Sequence, residues 1–168
     1  MYPVALNLAK IPVLLVGSGE LIARRVRMLE EAGANDITVT EHASAADIAK
    51  ASIVMVAGLP RDEAERITTT ARIAGKLVNV EDVNDLCDFY FTANVRRGDL
   101  IIAVSTSGAS PTLARKVRDA IGRIFGEEWE VRVQEAAEKR AEWKKQGKSM
   151  QEMMAASEAL IEEKGWLP

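Results

Sequence analysis

The chain has one cysteine and one histidine in 168 residues. A lone Cys87 cannot close an intrachain disulfide, and a single thiol suits a reducing compartment, so a cytoplasmic setting is expected. With His42 alone, neither Ser-His-Asp hydrolysis nor a multi-histidine metal site has the residues it needs, and no metal ligand is assigned. His42 reads as a surface side chain. No apolar run approaches the ~20 residues required to span a bilayer, and the N-terminus lacks the basic start and long apolar stretch of a signal peptide. No membrane partner is expected. Charge of one sign is also missing: 22 basic and 25 acidic side chains leave a net charge of −3. That balance argues against a nucleic-acid binder, which usually carries a strongly basic footprint.

Apolar residues make up 48% of the chain and charged residues 28%. This is ordinary globular usage, enough for one domain and a remainder. The charge is unevenly placed. Residues 1–126 hold 15 basic and 15 acidic groups, whereas residues 127–168 hold 7 and 10, so the whole net charge sits in the last quarter.

Ile11-Pro-Val-Leu-Leu-Val-Gly-Ser-Gly19 is a short continuous apolar run closed by two glycines, as expected of a parallel strand buried on both faces before a tight turn. From Glu20 to Ala32, Ile22, Val26 and Leu29 recur at helical spacing, and Gly33 stands at the stop position. Further β-branched or apolar runs fall at 36–40, 51–57, 76–80 and 100–104, with a helical stretch from about Arg61 to Ala74. Strand and helix alternate, which predicts an open α/β sheet with a ligand crevice beyond the strands' carboxyl ends. After Val104 the small-residue loop Ser105-Thr-Ser-Gly-Ala-Ser-Pro111 places Ser110 and Pro111 at the N-cap and first position of a helix to about Phe125. Its stripe is Leu113, Val117, Ile121 and Ile124. The tail reads as two helices, Glu127 to about Gln146 and a second begun by the capping-box spacing Ser149-Met-Gln-Glu152 and ended by Gly165. Their Trp and Met faces cannot be buried by two short helices alone, so they pack on the body or on a second copy.

Gly17-Ser18-Gly19 between strand and helix has the position of a dinucleotide fingerprint: a turn, a close backbone approach to a pyrophosphate, and a helix N-terminus beginning near Glu20 that faces the anion. A plain strand-to-helix turn is the alternative. The third small residue is displaced from Ile22 to Ala23. Glu41, 24 residues past Gly17 at the end of the second strand, is a candidate ribose ligand that favours NAD over its phosphorylated relative, or else a solvated loop carboxylate. Arg96-Arg97 could hold carboxylates through paired hydrogen bonds or form a solvated turn. Asp82 lies just past a strand, where carboxylates both cap turns and act as general bases.

The run LVNVEDVNDLCDFYFTANVRRGDLIIAVSTSGASPTLARKVRDAIG at 77–122, with the opening YPVALNLAKIPVLLVGSGELIARRV and its spacing, closely resembles the siroheme synthase dehydrogenase and ferrochelatase family, also called precorrin-2 dehydrogenase. The resemblance implies NAD-dependent oxidation of precorrin-2, a tetrapyrrole with many carboxylate arms, to sirohydrochlorin; some members also insert ferrous iron. By position it implies Asp82 as the carboxylate that abstracts a proton, Gly17 and Gly19 as the pyrophosphate turn and Ser105 to Ser110 as the substrate-side loop; together with the reading of the residues, the expected cofactor-binding set is Gly17, Ser18, Gly19, Glu20 and Glu41. The substrate side would be Asn79, Arg96, Arg97, Ser105, Thr106, Ser107, Gly108, Ser110 and Arg115. The chain departs from the family at Ser18, Ile22 and Thr92, and between Thr40 and Ala51 it is short by what reads as one strand and helix.

The expected fold is therefore α/β: a Rossmann-like open parallel sheet, shortened, over residues 1–104, then a substrate-side loop, helix and helical dimerisation segment over 105–168. The expected protein is a cytoplasmic homodimer that binds NAD and the tetrapyrrole. A non-catalytic descendant that binds a tetrapyrrole or nucleotide is the competing expectation.

Overall fold

The structure, a computed structural model, describes residues 1–167. It divides into two compact units, the first from Met1 to Phe91 and the second from Thr92 onward. The boundary thus falls earlier than the expected one after Val104.

In the first unit a single 3₁₀ turn at Leu8–Lys10 leads into β1 (Val13–Gly17), α1 (Gly19–Glu31), β2 (Ile37–Thr40), α2 (Ala45–Lys50), β3 (Ile53–Ala57), α3 (Arg61–Ile73) and β4 (Leu77–Val80). Among the described residues these strands form one parallel sheet in the order β2-β1-β3-β4. Every residue of β1 and β3 is buried, because helices cover both faces. The period of two sorts the side chains. Leu14, Val16, Val54, Val56, Val78 and Val80 meet Ile48 of α2 and Ala64, Ile67 and Ala71 of α3. Val13, Leu15, Ile53, Met55 and Ala57 meet Ile22 and Leu29 of α1. Each fully buried Val, Leu or Ile is worth ~1.5–3 kcal/mol, so this two-sided apolar sandwich fixes where the strand ends lie.

The segment between Thr40 and Ala51 keeps more than the sequence suggested. It holds the six-residue α2, closed at its start by a reciprocal cap in which Ser44 and Asp47 bond each other's backbone. The missing strand is absent among the described residues.

The second unit contains β5 (Ala93–Arg97), β6 (Leu100–Val104), α4 (Pro111–Ile124), α5 (Glu128–Lys145) and α6 (Met150–Lys164). Here one expectation is corrected. The apolar run at 100–104 is not a further strand of the parallel sheet; β6 pairs antiparallel with β5 in a hairpin turned at Gly98-Asp99. Its side chains alternate in exposure along the strand, as in a sheet with one covered face. The caps were read correctly: the Ser110 hydroxyl accepts from the Leu113 amide with Pro111 opening α4, and Ser149 and Glu152 bond reciprocally at the start of α6. In the tail, Trp129 lies 4.9 Å from Phe125 with the Arg132 guanidinium 5.0 Å from its ring, and Lys164 of α6 pairs with Glu135 of α5 at 2.7 Å. A mutual packing of α5 and α6 thus half-buries Trp129 and Trp143. Apolar side chains stay open on α4, with Leu113 55% and Ile124 70% exposed, and on the tail helices, with Val131 67%, Met150 58% and Met154 56% exposed.

Candidate functional site

In the order β2-β1-β3-β4 the chain leaves β1 to one side for β2 and returns to the other side for β3. That reversal opens a crevice above the carboxyl ends of β1 and β3, where doubly wound sheets take their ligands. The two strand ends are very close. A Cβ on Gly17, whose φ is +135°, would lie 2.0 Å from the Ala57 carbonyl oxygen. Only glycine fits. Gly19 is different: at φ +77° it opens α1 with no atom within 4 Å of where its side chain would stand, so the space above it is free. Gly58 brings the loop after β3 against the Ser18 carbonyl oxygen, at 3.6 Å from its would-be Cβ.

Ser18 is the N-cap of α1 but its side chain makes no capping bond. The first amides of a 13-residue helix therefore point into the crevice with the positive end of its dipole, an arrangement suited to a pyrophosphate. Glu20, in this first turn, is drawn along the helix by Arg27 at 3.0 Å. Glu41 is exposed at the end of β2, where the Thr40 hydroxyl folds the turn by accepting from the His42 amide at 3.2 Å. The residues present thus fit a dinucleotide: glycines for the approach, amides for the phosphates, a carboxylate at the second strand for a ribose.

Beyond β4, the Glu81 amide donates to the Val56 carbonyl at 2.9 Å, carrying the β3–β4 ladder one residue further. Asp82 follows in the left-handed region at φ +59°, exposed, on the same edge of the same sheet as the glycine turn. Left-handed Asp is tolerated because its short side chain crowds the backbone little. The Glu81 carboxylate, 10% exposed, accepts from Arg24 at 2.8 Å and from both Nε and Nη2 of Arg25. The Arg25 guanidinium lies over the Phe91 ring at 4.3 Å. Glu81, Arg24, Arg25 and Gly58 were not found from the sequence. The signals were there, as a second carboxylate directly after an apolar strand and a glycine at the end of the third run.

Asn79 does not join this crevice. Its buried side chain donates to the Phe89 carbonyl at 2.9 Å and contacts Cys87 Sγ at 3.5 Å, which ties the segment after the 3₁₀ turn at Asn84–Leu86 back onto β4. Cys87 is itself occupied, donating to the Val80 carbonyl at 3.2 Å.

In the second unit, Arg96 is exposed while Arg97 turns the other way and donates to the Gly122 carbonyl at 3.4 Å, with Glu127 at 3.4 Å. Arg115 is exposed on α4. The loop before α4 is folded on itself. Ser105 accepts from the Ser107 amide, Thr106 accepts from the Ser110 amide at 3.0 Å, and Ser110 caps the helix. Ser107 and Gly108, both at positive φ, form its exposed tip. Among the described residues no three His, Cys, Asp or Glu side chains gather as a metal-ligand set, and no helix is long and apolar enough to cross a membrane.

The comparisons agree with this geometry. Residues 35–93 match an NAD(P)-binding family, and residues 97–124 match the family of the sirohaem biosynthesis protein central domain. The first match begins after the glycine turn and takes in Glu41 and Asp82; the second takes in the capped loop and α4. The siroheme synthase of Methylococcus capsulatus is 34% identical over 139 residues, 71% of this chain and 29% of the relative. That of Neisseria meningitidis is 31% identical over 144 residues, 74% of this chain and 30% of the relative. The chain thus spans about 30% of the length of the curated relatives it matches. A solved structure described as SirC, precorrin-2 dehydrogenase, shares the fold with a TM-score of 0.76 at 22% identity, over 96% of this chain and 89% of that one.

The first unit is therefore a doubly wound α/β domain of the nicotinamide-dinucleotide-binding class. Over the matched residues the chain is similar to the siroheme synthases and carries the match to their sirohaem biosynthesis central region.

The two glycines of the turn should respond differently to an added methyl. Gly17→Ala forces the strands apart and should destabilise the fold by ~2 kcal/mol or more, read as a lowered Tm. Gly19→Ala meets no neighbour but must hold φ +77°, so it should cost only the ~1–2 kcal/mol of a left-handed L residue and lower Tm less than Gly17→Ala does, while its affinity for the dinucleotide, followed by fluorescence titration with NADH, should drop on the order of tenfold or more where the backbone meets the pyrophosphate. Equal behaviour of the two variants would contradict the assignment.

Proposed function

We propose that this chain is a precorrin-2 dehydrogenase of siroheme biosynthesis, acting in the cytoplasm as a homodimer and using NAD. The observation that carries the reading is the shared edge of one sheet: an open helix N-terminus beside a tight glycine turn at β1, and an exposed carboxylate, Asp82, two strands away at the end of β4. The names of the relatives and of the fold neighbour support the substrate class. Glu41 supports NAD, since an exposed carboxylate at the end of β2 accepts from a ribose hydroxyl and repels a 2′-phosphate.

In this reading bound nicotinamide supplies the hydride acceptor. The α1 amides and the Gly17–Gly19 turn hold the pyrophosphate, and Glu41 holds the ribose. Asp82 accepts the proton that the substrate loses with its hydride, and its carboxylate makes no hydrogen bond among the described residues that would compete for that proton. In the second unit, the exposed Arg96 and Arg115 and the tip at Ser107 and Gly108 carry the positive charge and backbone amides that suit carboxylates. Arg97 and Asn79 serve by fixing the backbone around them.

Asparagine adopts the left-handed conformation readily, so Asp82→Asn keeps the turn and removes only the basicity. Its turnover of precorrin-2 should fall on the order of a hundredfold or more, with NAD affinity unchanged. A wild-type rate would leave Asp82 as a turn residue.

The dimer is proposed through the second unit, because α4 exposes Leu113, Val117 and Ile124 along one stripe. Leu113→Glu with Ile124→Glu should shift the protein from dimer to monomer in sedimentation with its Tm little changed. A dimer that survives both charges would refute this surface.

A further inference from the structure

Asp82 has an unusual problem for a base. Its side chain makes no hydrogen bond among the described residues, so nothing bonded to the carboxylate aims it; its direction is set by the backbone of its turn. That backbone is held on both sides of Asp82. The Glu81 amide continues the ladder to Val56, and the Val83 amide closes back on the Val80 carbonyl at 3.4 Å. The side chain of Glu81 adds a charged anchor, 10% exposed, gripped by two arginines of α1. Arg25 is 13% exposed and presents its fork from a fixed place, over Phe91 at 4.3 Å and with Met28 Sδ at 3.9 Å. Planar, two-point guanidinium contacts restrict orientation as well as distance. The same helix begins at Gly19, so the element that presents amides at the glycine turn also grips the residue preceding Asp82.

We infer that Glu81, held by Arg24 and Arg25, is a positioning residue that sets the direction of Asp82 relative to the glycine turn of α1. The inference rests on the proposed role of Asp82 as the base. Glu81 itself takes no proton and touches no substrate.

The test is a double-mutant cycle of Glu81→Gln and Asp82→Asn, assayed with precorrin-2 and NAD, together with amide exchange of the unliganded proteins. Glu81→Gln should lower kcat about tenfold, a coupling typical of residues that act as a unit, and leave the KM for NAD and for precorrin-2 within about twofold. On the Asp82→Asn background it should lower kcat no further, because the group being aimed is gone. Exchange of the bonded amides at residues 81 and 83 should quicken about tenfold in Glu81→Gln while the amides of β1 stay protected. An unchanged kcat in Glu81→Gln, or a loss that multiplies in full with that of Asp82→Asn, overturns the inference. The two failures separate: a wild-type rate in Asp82→Asn removes the base and with it the catalytic part, while unchanged exchange at residues 81 and 83 in Glu81→Gln removes the positioning part whatever Asp82 does. Should Glu81→Gln not fold, Arg25→Lys keeps the charge and loses the fork, and the same cycle and exchange pattern apply to it.

Discussion

At the carboxyl ends of β1 and β3 two backbones meet with no room for a side chain, the would-be Cβ of Gly17 lying 2.0 Å from the Ala57 carbonyl oxygen. That closeness ends β1 at Gly17 and places Ser18, with no capping bond of its own, before a helix that starts one residue later. Because the helix starts there, its free amides and dipole face the crevice at the point where the strand order reverses. Two apolar layers hold the strands in register, one on the α2 and α3 side and one on the α1 side, so the convergence at Gly17 is over-determined by packing far from it.

Charge at the crevice edge is organised around the same helix. A buried carboxylate is costly unless it is paired, and Glu81 is paired twice. Arg24 and Arg25 therefore do for the β4 end what the glycines do for the β1 end: they fix a turn from which the next group projects. The neighbouring Asp85 is held below the ordinary carboxylate range by the Arg61 guanidinium that donates to it, which keeps the following 3₁₀ turn tied to the start of α3. Asp82 lies between these two anchored carboxylates and has no side-chain partner of its own among the described residues.

Much of this was legible in the residues. β1 and β3 announce themselves as continuous apolar runs, and the Ser110-Pro111 and Ser149–Glu152 caps carry their own local chemistry, so the α/β alternation and the glycine turn follow from short-range pattern alone. The hairpin was misread because Leu100–Val104 is as apolar as a buried parallel strand, and periodicity cannot separate the two over five residues. The turn residues Gly98-Asp99 were the better guide. Glu81 escaped for another reason: its arginines lie 56 and 57 residues earlier, a pairing that only the packing of α1 over the sheet creates. Asn79 looked like a substrate ligand by position in the family motif, whereas its donor is spent on the Phe89 carbonyl.

Turnover of a tetrapyrrole at the expense of a nicotinamide cofactor is what we propose for the crevice. The direct measurement is to mix the purified protein with precorrin-2 and NAD and follow the absorption spectrum. Sirohydrochlorin should appear with an equal amount of NADH, more slowly when NADP replaces NAD. A protein that binds NAD and leaves precorrin-2 unchanged would contradict the account and mark the chain as a binding descendant without catalysis.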